Sequence, residues 1–148
     1  MRPKITREIR VKTYEHRIIY RSMIIYVDTN IYLDFLLRDK KKFGDPAFNI
    51  FKRTISCEFQ IIVSDHLLNE LQRHINPRET QFLFLMLKNK IIKTAYTKED
   101  VALAKKLPTS FADALHIILA KKNNAHYMIT RNKKDFAQLF ESKLPEEL

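Results

Sequence analysis

Glycine, cysteine and long apolar runs are all scarce in this chain, and each scarcity removes a class of function. Glycine occurs once, at Gly44. Dinucleotide-binding fingerprints and phosphate-cradling loops both need several glycines so that the backbone can approach phosphate closely, and the sequence therefore excludes them. A nucleotide cofactor is not expected.

Cysteine also occurs once, at Cys57. A single cysteine excludes an intramolecular disulfide framework and a zinc site built from cysteines alone, and it fits a reducing cytoplasm, where we expect the protein to act. No apolar stretch approaches the roughly 20 residues of a membrane span. The start of the chain lacks the apolar core of a secretory signal, so no membrane association is expected.

Positive charge is the first feature that the chain has in excess. Its 148 residues include 27 Lys and Arg against 17 Asp and Glu, which gives a formal net charge of +10. Such a surplus favours a polyanionic partner such as nucleic acid, although excess lysine can also serve solubility alone. Residues 1–22 hold seven of the positive and two of the negative residues and lack helical periodicity. We predict a basic N-terminal extension, residues 1–22, followed by one domain, residues 23–148.

From residue 23 onwards, short apolar runs alternate with helical patterns. Four runs are typical of buried strands, and they end near Val27, Val63, Ala95 and Ile129. Strands that are separated by helices predict a three-layer α/β/α fold with a central, mostly parallel sheet of four to five strands.

Capping and turn-forming residues predict several helix ends. Thr29 or Asn30 is expected to cap the first helix. The turn at 44–46 predicts that the second helix begins with Asp45 as its N-cap. A final short helix is expected over 134–140.

Three acidic residues lie where a folded chain has little reason to place a charge. Asp28 ends the first apolar run, Glu70 lies on the helix after the second, and Asp113 opens an apolar helix. Each has an ordinary explanation, as a cap, a solvated helix residue or a partner of the helix dipole. Their joint placement instead indicates a shared divalent cation, because burying an unpaired carboxylate costs several kcal/mol.

The fold class predicts where these groups meet. Sites in parallel α/β sheets form outside the carboxyl ends of the strands, so Asp28, Glu70 and Asp113 are expected to converge on one pocket. An all-oxygen site suits Mg²⁺ or Mn²⁺ rather than zinc, and such an ion can activate water and neutralise charge on a phosphodiester. His116, one turn after Asp113, can orient a carboxylate or a bound water, or it can be a satisfied core residue.

The same residues, in this order, resemble the PIN domain, the nuclease fold of VapC-type toxins and several RNA-processing enzymes. The matching segments are 25–30, 64–71, 112–116, 129–132 with 135–136, and 144–148. The motifs are individually short, so the specificity of the match lies in their order and spacing from residue 23 to the C-terminus.

The resemblance implies Mg²⁺- or Mn²⁺-dependent cleavage of RNA, usually single-stranded, with Asp28, Glu70 and Asp113 as the catalytic, metal-binding carboxylates. The family often has a fourth acidic residue just after the last strand. Asn132 occupies that place here and Asp135 follows three residues later, which makes both of them candidate metal ligands. The other candidates are the supporting residues Thr29, Asn30 and Thr130 and the RNA-binding residues Arg131, Lys133 and Lys134.

We therefore predict a metal-dependent endoribonuclease. As a toxin it would be expected to have an antitoxin partner and to form a homodimer, and an RNA-processing nuclease is the other form of this prediction. The alternative is a PIN-like protein that binds RNA or a protein partner with little catalysis, and the missing negative charge at Asn132 favours it.

Overall fold

Strands and helices alternate along the described chain. The computed structural model describes residues 9–14, 17–37 and 41–148. Its strands are β1 (Ile9–Tyr14), β2 (Arg17–Arg21), β3 (Met23–Val27), β4 (Phe59–Ser64), β5 (Ile91–Thr94), β6 (Tyr127–Ile129) and β7 (Ser142–Lys143). Its α-helices are α1 (Thr29–Leu36), α2 (Lys41–Ile55), α3 (Asp65–Gln72), α4 (Pro77–Leu87), α5 (Lys98–Ala104), α6 (Phe111–Lys122) and α7 (Lys133–Phe136).

A five-stranded, all-parallel sheet lies at the centre of the fold and confirms the predicted fold class. Its spatial order is β5-β4-β3-β6-β7. The middle strand, β3, pairs with β4 and β6, so that Ile25 lies between Ile61 and Tyr127. This order brings the carboxyl ends of β3 and β6 side by side, although the two strands are about a hundred residues apart in the chain.

Helices cover both faces of this sheet, which explains why every residue of β3 is buried. Alternate residues of β3 point to opposite sides: Ile25 packs into a core with Tyr32 and Phe51, whereas Tyr26 packs into a second core with Leu115. In the described part of the chain, no helix is long and apolar enough to cross a bilayer.

Three predicted helix ends were wrong. The N-cap of α1 is Asp28 rather than Thr29 or Asn30, because the Asp28 carboxylate accepts a hydrogen bond from the Thr29 N–H. Helix α2 begins at residue 41 and contains Pro46, whose missing N–H removes only one helical hydrogen bond, to residue 42. Helix α7 ends at Phe136, after which the chain continues to residue 140 as a turn.

A small hairpin precedes the central sheet, and the sequence analysis did not predict it. Strands β1 and β2 pair in antiparallel fashion, with an irregularity between Arg10 and Lys12. They form a separate two-stranded sheet. Residues 1–8, 15 and 16 of the predicted extension lie outside the described residues. The division into an extension over 1–22 and a domain over 23–148 stays a prediction.

Candidate metal centre

Asp28 lies directly after the central strand β3. It is held in place by Thr29, the next residue, and by residues 129–130 at the end of β6. Its backbone N–H donates to the Ile129 carbonyl at 2.9 Å. One carboxylate oxygen accepts from the Thr29 N–H at 2.7 Å, and the other accepts from the Thr130 hydroxyl at 3.0 Å. Only 5% of Asp28 is exposed. This burial raises the pKa of its carboxyl group, while His116 and the two hydrogen bonds oppose the rise.

Glu70 reaches the same place from helix α3, whose N-terminus is capped by the Ser64 hydroxyl. Its Oε1 accepts hydrogen bonds from the Thr29 hydroxyl and, at 2.7 Å, from Nε2 of His116. Burial alone would raise the pKa of this carboxyl. The hydrogen bond and electrostatic attraction of His116, followed by the Thr29 hydrogen bond, outweigh burial and lower the pKa to about 2.

Asp113 completes a set of three carboxylates. It lies in the first turn of α6, where its N–H donates to the hydroxyl of the N-cap residue Ser110 at 3.3 Å. Asp28, Glu70 and Asp113 line one cavity of about 170 Å³. The negative charge of Asp113 further raises the pKa of Asp28. The three acidic residues singled out from the sequence are therefore brought together.

The three predicted supporting residues differ in what they do. Thr29 is buried and donates its hydroxyl to Glu70, so it connects the first and second carboxylates. Thr130 is fully buried and donates to Asp28 from the end of β6. Asn30 is exposed and lines the cavity.

Asn132 and Asp135 line a different cavity, of about 610 Å³, which they share with Arg131, Lys133 and Lys134. Asn132 is connected to the carboxylates only indirectly. Its backbone N–H donates to the Thr130 hydroxyl oxygen at 3.0 Å, and that hydroxyl donates in turn to Asp28. The described geometry thus separates these two candidate metal ligands from the three-carboxylate cavity.

Two of the three cations predicted to contact RNA make ion pairs with acidic residues of the chain. Arg131 donates to both carboxylate oxygens of Glu146 at 2.8 and 3.1 Å and lies 3.4 Å from Asp34. The Lys133 amine lies 2.9 Å from Glu147. Lys134 is exposed. Any contact of Arg131 or Lys133 with phosphate would compete with these pairs.

His116 is both a buried residue and a carboxylate partner, so the two readings of it from the sequence are compatible. Its exposure is 1%. Nε2 bonds to Glu70, and Nδ1 lies 2.6 Å from the Tyr26 hydroxyl. That hydroxyl lies 2.8 Å from the Ser64 hydroxyl. Sequence reasoning missed Tyr26 and Ser64 because a buried tyrosine and an N-cap serine each have ordinary structural uses.

A second histidine extends the cluster. Ligand atoms of His66, Glu70 and His116 all lie within 4.8 Å of one another, a donor set that would suit zinc. His66 Nε2, however, lies 3.0 Å from the Ala112 carbonyl, to which it must donate, and His116 Nε2 is engaged with Glu70. Both nitrogens therefore act as hydrogen-bond donors in this arrangement.

Two further side chains at the cavity were not predicted as site residues. Arg73 and His74 are exposed and line the cavity. They follow Glu70 by three and four residues, the spacing that places side chains on one face of a helix. That spacing was the available signal. Arg73 places a positive charge beside the three carboxylates. Such a charge suits an anion that is also bound by a metal ion on those carboxylates.

The chemistry of the cavity fits a divalent cation. Its three carboxylates belong to the end of β3, to α3 and to α6. Burial raises the pKa of Asp28, and repulsion from the Asp113 carboxylate adds to that rise. A hard cation with oxygen ligands would remove this repulsion and take the remaining lone pairs of the carboxylates. The polar hydroxyls of Thr29 and Thr130 are already directed at these carboxylates and so do not compete for the cation.

Comparisons with known proteins identify the family and the fold. A family model described as the PIN domain matches residues 25–134. No curated protein matches the sequence. The solved structures that resemble the chain include VapBC2 from Rickettsia felis bound to a DNA fragment from its promoter, with 18% identity, a TM-score of 0.59, and coverage of 82% of this chain and 98% of that chain.

Two more structures have the same fold. VapC20 of Mycobacterium tuberculosis, described as a sarcin–ricin loop cleaving toxin, has 17% identity, a TM-score of 0.58, and coverage of 78% of this chain and 95% of that one. FitAcB from Neisseria gonorrhoeae has 15% identity, a TM-score of 0.57, and coverage of 84% and 99%. The family match spans most of the chain, so the resemblance inferred from the sequence is confirmed: the protein belongs to the PIN domain family.

Proposed function

We propose that the protein is a metal-dependent endoribonuclease. The observation that carries this proposal is the convergence of Asp28, Glu70 and Asp113 on one cavity at the carboxyl ends of the central strands. Mg²⁺ or Mn²⁺ suits such an oxygen site. When bound there, the ion would supply an activated water and neutralise charge that develops on a phosphodiester.

The residues of the chain would hold and orient this centre. Thr130 and the Thr29 N–H fix the two oxygens of Asp28, while Thr29 and His116 fix one oxygen of Glu70. These hydrogen bonds set the carboxylates in place before the ion binds, which lowers the entropy lost on binding. Asn132 and Asp135 remain candidate ligands of a second, more weakly bound metal ion. Asn132 is linked to the first site through the Thr130 hydroxyl, which donates to Asp28.

The proposed substrate is single-stranded RNA. The net charge of +10 favours a polyanion, and Arg73 at the cavity supplies a cation for a phosphate next to the carboxylates. One protein of the same fold, VapC20, is described as cleaving the sarcin–ricin loop. Arg131, Lys133 and Lys134 line the adjacent cavity and would contact the strand further along, with Glu146 and Glu147 displaced from Arg131 and Lys133.

A role as the toxin of a toxin–antitoxin pair is the more specific form of this proposal. Solved structures with this fold include the VapBC2 and FitAB complexes, each bound to a DNA fragment. The expected partners are then an antitoxin and a second copy of the chain, in the cytoplasm. An RNA-processing nuclease is the other form, and co-purification of a small antitoxin with the natively expressed protein would separate the two.

The first test is cleavage of a mixed-sequence single-stranded RNA by purified protein with Mg²⁺, Mn²⁺ or a chelator. We expect cutting with metal only, and none by Asp28→Asn or Asp113→Asn. Asp45→Asn is the matched control, because Asp45 is an exposed aspartate on α2 and should leave the rate unchanged. Cutting by either purified site variant, or equal cutting in chelator, would contradict the proposal.

The second candidate is a PIN-like protein that binds RNA with little catalysis, and Asn132 in place of an acidic residue favours it. Retention of RNA in chelator, together with no cleavage at any metal concentration, would establish this alternative. Asn132→Asp is the informative variant. Appearance of cleavage in it would show that the missing charge limits the wild type.

The basic extension is proposed to add to RNA affinity. Deletion of residues 1–22 removes seven Lys and Arg and two acidic residues. We expect weaker RNA binding and a shallower dependence of the affinity on salt, since fewer phosphate charges are neutralised. The thermal unfolding midpoint of the domain should change little, and an unchanged salt slope would refute this role.

A further inference from the structure

A continuous row of hydrogen bonds ends at the Glu70 carboxylate. The Leu67 N–H donates to the Ser64 hydroxyl oxygen at 3.0 Å, Ser64 lies 2.8 Å from the Tyr26 hydroxyl, and Tyr26 lies 2.6 Å from His116 Nδ1. The last bond joins His116 Nε2 to Glu70 Oε1 at 2.7 Å. Ser64 and Tyr26 are fully buried and His116 is 1% exposed, so the row is shielded from bulk water.

The partners at the two ends of the row set the direction of its protons. A charged Glu70 carboxylate only accepts, so His116 Nε2 carries a proton and donates it. At the other end the Leu67 N–H can only donate, and it occupies a lone pair of Ser64. If Ser64 donates to Tyr26 and Tyr26 donates to His116 Nδ1, every proton in the row has an acceptor. The row is thus aligned toward Glu70.

Glu70 is held through one of its two carboxylate oxygens. Oε1 accepts from His116 and from the Thr29 hydroxyl. Oε2 has His66 Nε2 at 3.8 Å, beyond hydrogen-bond distance. A carboxylate oxygen that accepts two hydrogen bonds has little capacity left for a cation, whereas Oε2 keeps its lone pairs.

We propose that His116 is a positioning residue, fixed by Tyr26 and Ser64, which holds Glu70 by Oε1 so that Oε2 alone is presented to the divalent cation. This inference rests on the proposed metal-dependent function. A glutamate side chain loses up to about 1.5–2 kcal/mol of rotamer freedom when it is immobilised. His116 and Thr29 carry out that immobilisation before the cation arrives, and Tyr26 fixes the orientation of the imidazole ring.

Two amide variants separate the proposed role from simple packing. The amide nitrogen of His116→Gln can reach the position of imidazole Nε2 and donate to Glu70. The shorter His116→Asn places its amide near imidazole Nδ1, so it can keep the Tyr26 contact while it loses the donation to Glu70. Both variants put a polar amide of similar character in the same buried site, which makes them matched.

The experiment measures Mn²⁺ affinity by calorimetry and by the electron paramagnetic resonance signal of free Mn²⁺, without RNA. We expect His116→Asn to bind Mn²⁺ about 10–100-fold more weakly than the wild type, the usual loss when the partner of a metal ligand is removed. His116→Gln should recover most of that loss. In cleavage assays the Mn²⁺ concentration for half-maximal rate should rise in His116→Asn, while the rate at saturating Mn²⁺ changes less.

Tyr26→Phe provides a second route if His116→Asn does not fold. It removes one hydroxyl and leaves the imidazole in place, so we expect a smaller loss of Mn²⁺ affinity in the same direction. Urea unfolding in chelator gives the stability of each variant separately from its metal affinity.

The outcomes are distinct. Wild-type Mn²⁺ affinity in both His116→Asn and Tyr26→Phe, with no binding by Asp28→Asn, would overturn the positioning role and leave the nuclease proposal intact. Equal losses in His116→Asn and His116→Gln would also overturn it, because packing alone would explain them. No Mn²⁺ binding by the wild type would overturn both proposals.

Discussion

The charge of Glu70 should stabilise the fold at neutral pH, and acid should remove this contribution. Burial works against the charged carboxylate, but His116 and Thr29 lower its pKa from 4.5 to about 2. A fall of that size corresponds to about 3 kcal/mol in favour of the folded, charged form. Because 21% of the Glu70 side chain is exposed, water screens the interaction, and we expect about 1–2 kcal/mol.

The perturbation is Glu70→Gln, which keeps the shape of the side chain and a carbonyl oxygen for its two donors. The folded pKa lies below the unfolded one, so the stabilisation is complete above pH 4.5 and is lost as the pH falls toward 2. At pH 7 the variant should therefore be less stable than the wild type by about 1–2 kcal/mol, and at pH 3 more than half of that gap should have closed.

Urea unfolding in chelator, at pH 7 and pH 3, measures this gap in free energy of unfolding. Glu79→Gln is the matched control, since Glu79 is an exposed glutamate in the first turn of α4. The free energy of unfolding of Glu79→Gln should differ little from that of the wild type at both pH values. The reasoning would be refuted if the difference in free energy of unfolding between Glu70→Gln and the wild type did not change with pH. It would also be refuted if the variant were more stable than the wild type at pH 7.

Three further predictions concern the surroundings of this residue. The stability of metal-free Asp28→Asn relative to the wild type should be highest above the folded pKa of Asp28, because burial raises that pKa. This relative stability should fall as the pH drops below the folded pKa, and urea unfolding across that range measures it. Thr130→Val should cost about 1–3 kcal/mol in the same assay, since it removes the donor to Asp28 and the acceptor of the Asn132 N–H; no loss would mean that these bonds contribute nothing net. Glu146→Gln should cost less than about 1 kcal/mol, because 49% of the Glu146 side chain is exposed, and a larger drop in thermal midpoint than Thr130→Val would contradict this ranking.

Patterns within single elements carried most of the fold prediction. The continuous apolar run of β3 indicated a strand covered on both faces, and both cores confirm it. The two-residue strand β7 gave no such pattern. It forms because β6 offers it a free edge, where Met128 and Thr130 donate to the carbonyls of Glu141 and Lys143.

The candidate site was predictable to the extent that its residues sit at the ends of recognisable elements. Asp28, Glu70 and Asp113 met that condition. The contact between Tyr26 and His116 did not, because it joins positions 90 residues apart through the packing of α6 on the sheet. The pairing of Arg131 with Glu146 was also not predictable from the charges alone, because it depends on where the C-terminal turn folds back.

The placement of β6 beside β3 also sets when this site can come into being during protein synthesis. Asp28 and its hydrogen-bond donor Thr130 are 102 positions apart. At about 5–20 residues per second, a ribosome needs roughly 5–20 s to travel from one to the other. During that interval β3 has no neighbour on the β6 side, and Asp28 lacks its hydrogen bonds to Ile129 and Thr130. A nascent chain should therefore lack the fully hydrogen-bonded arrangement of Asp28 until residue 130 has emerged from the ribosome.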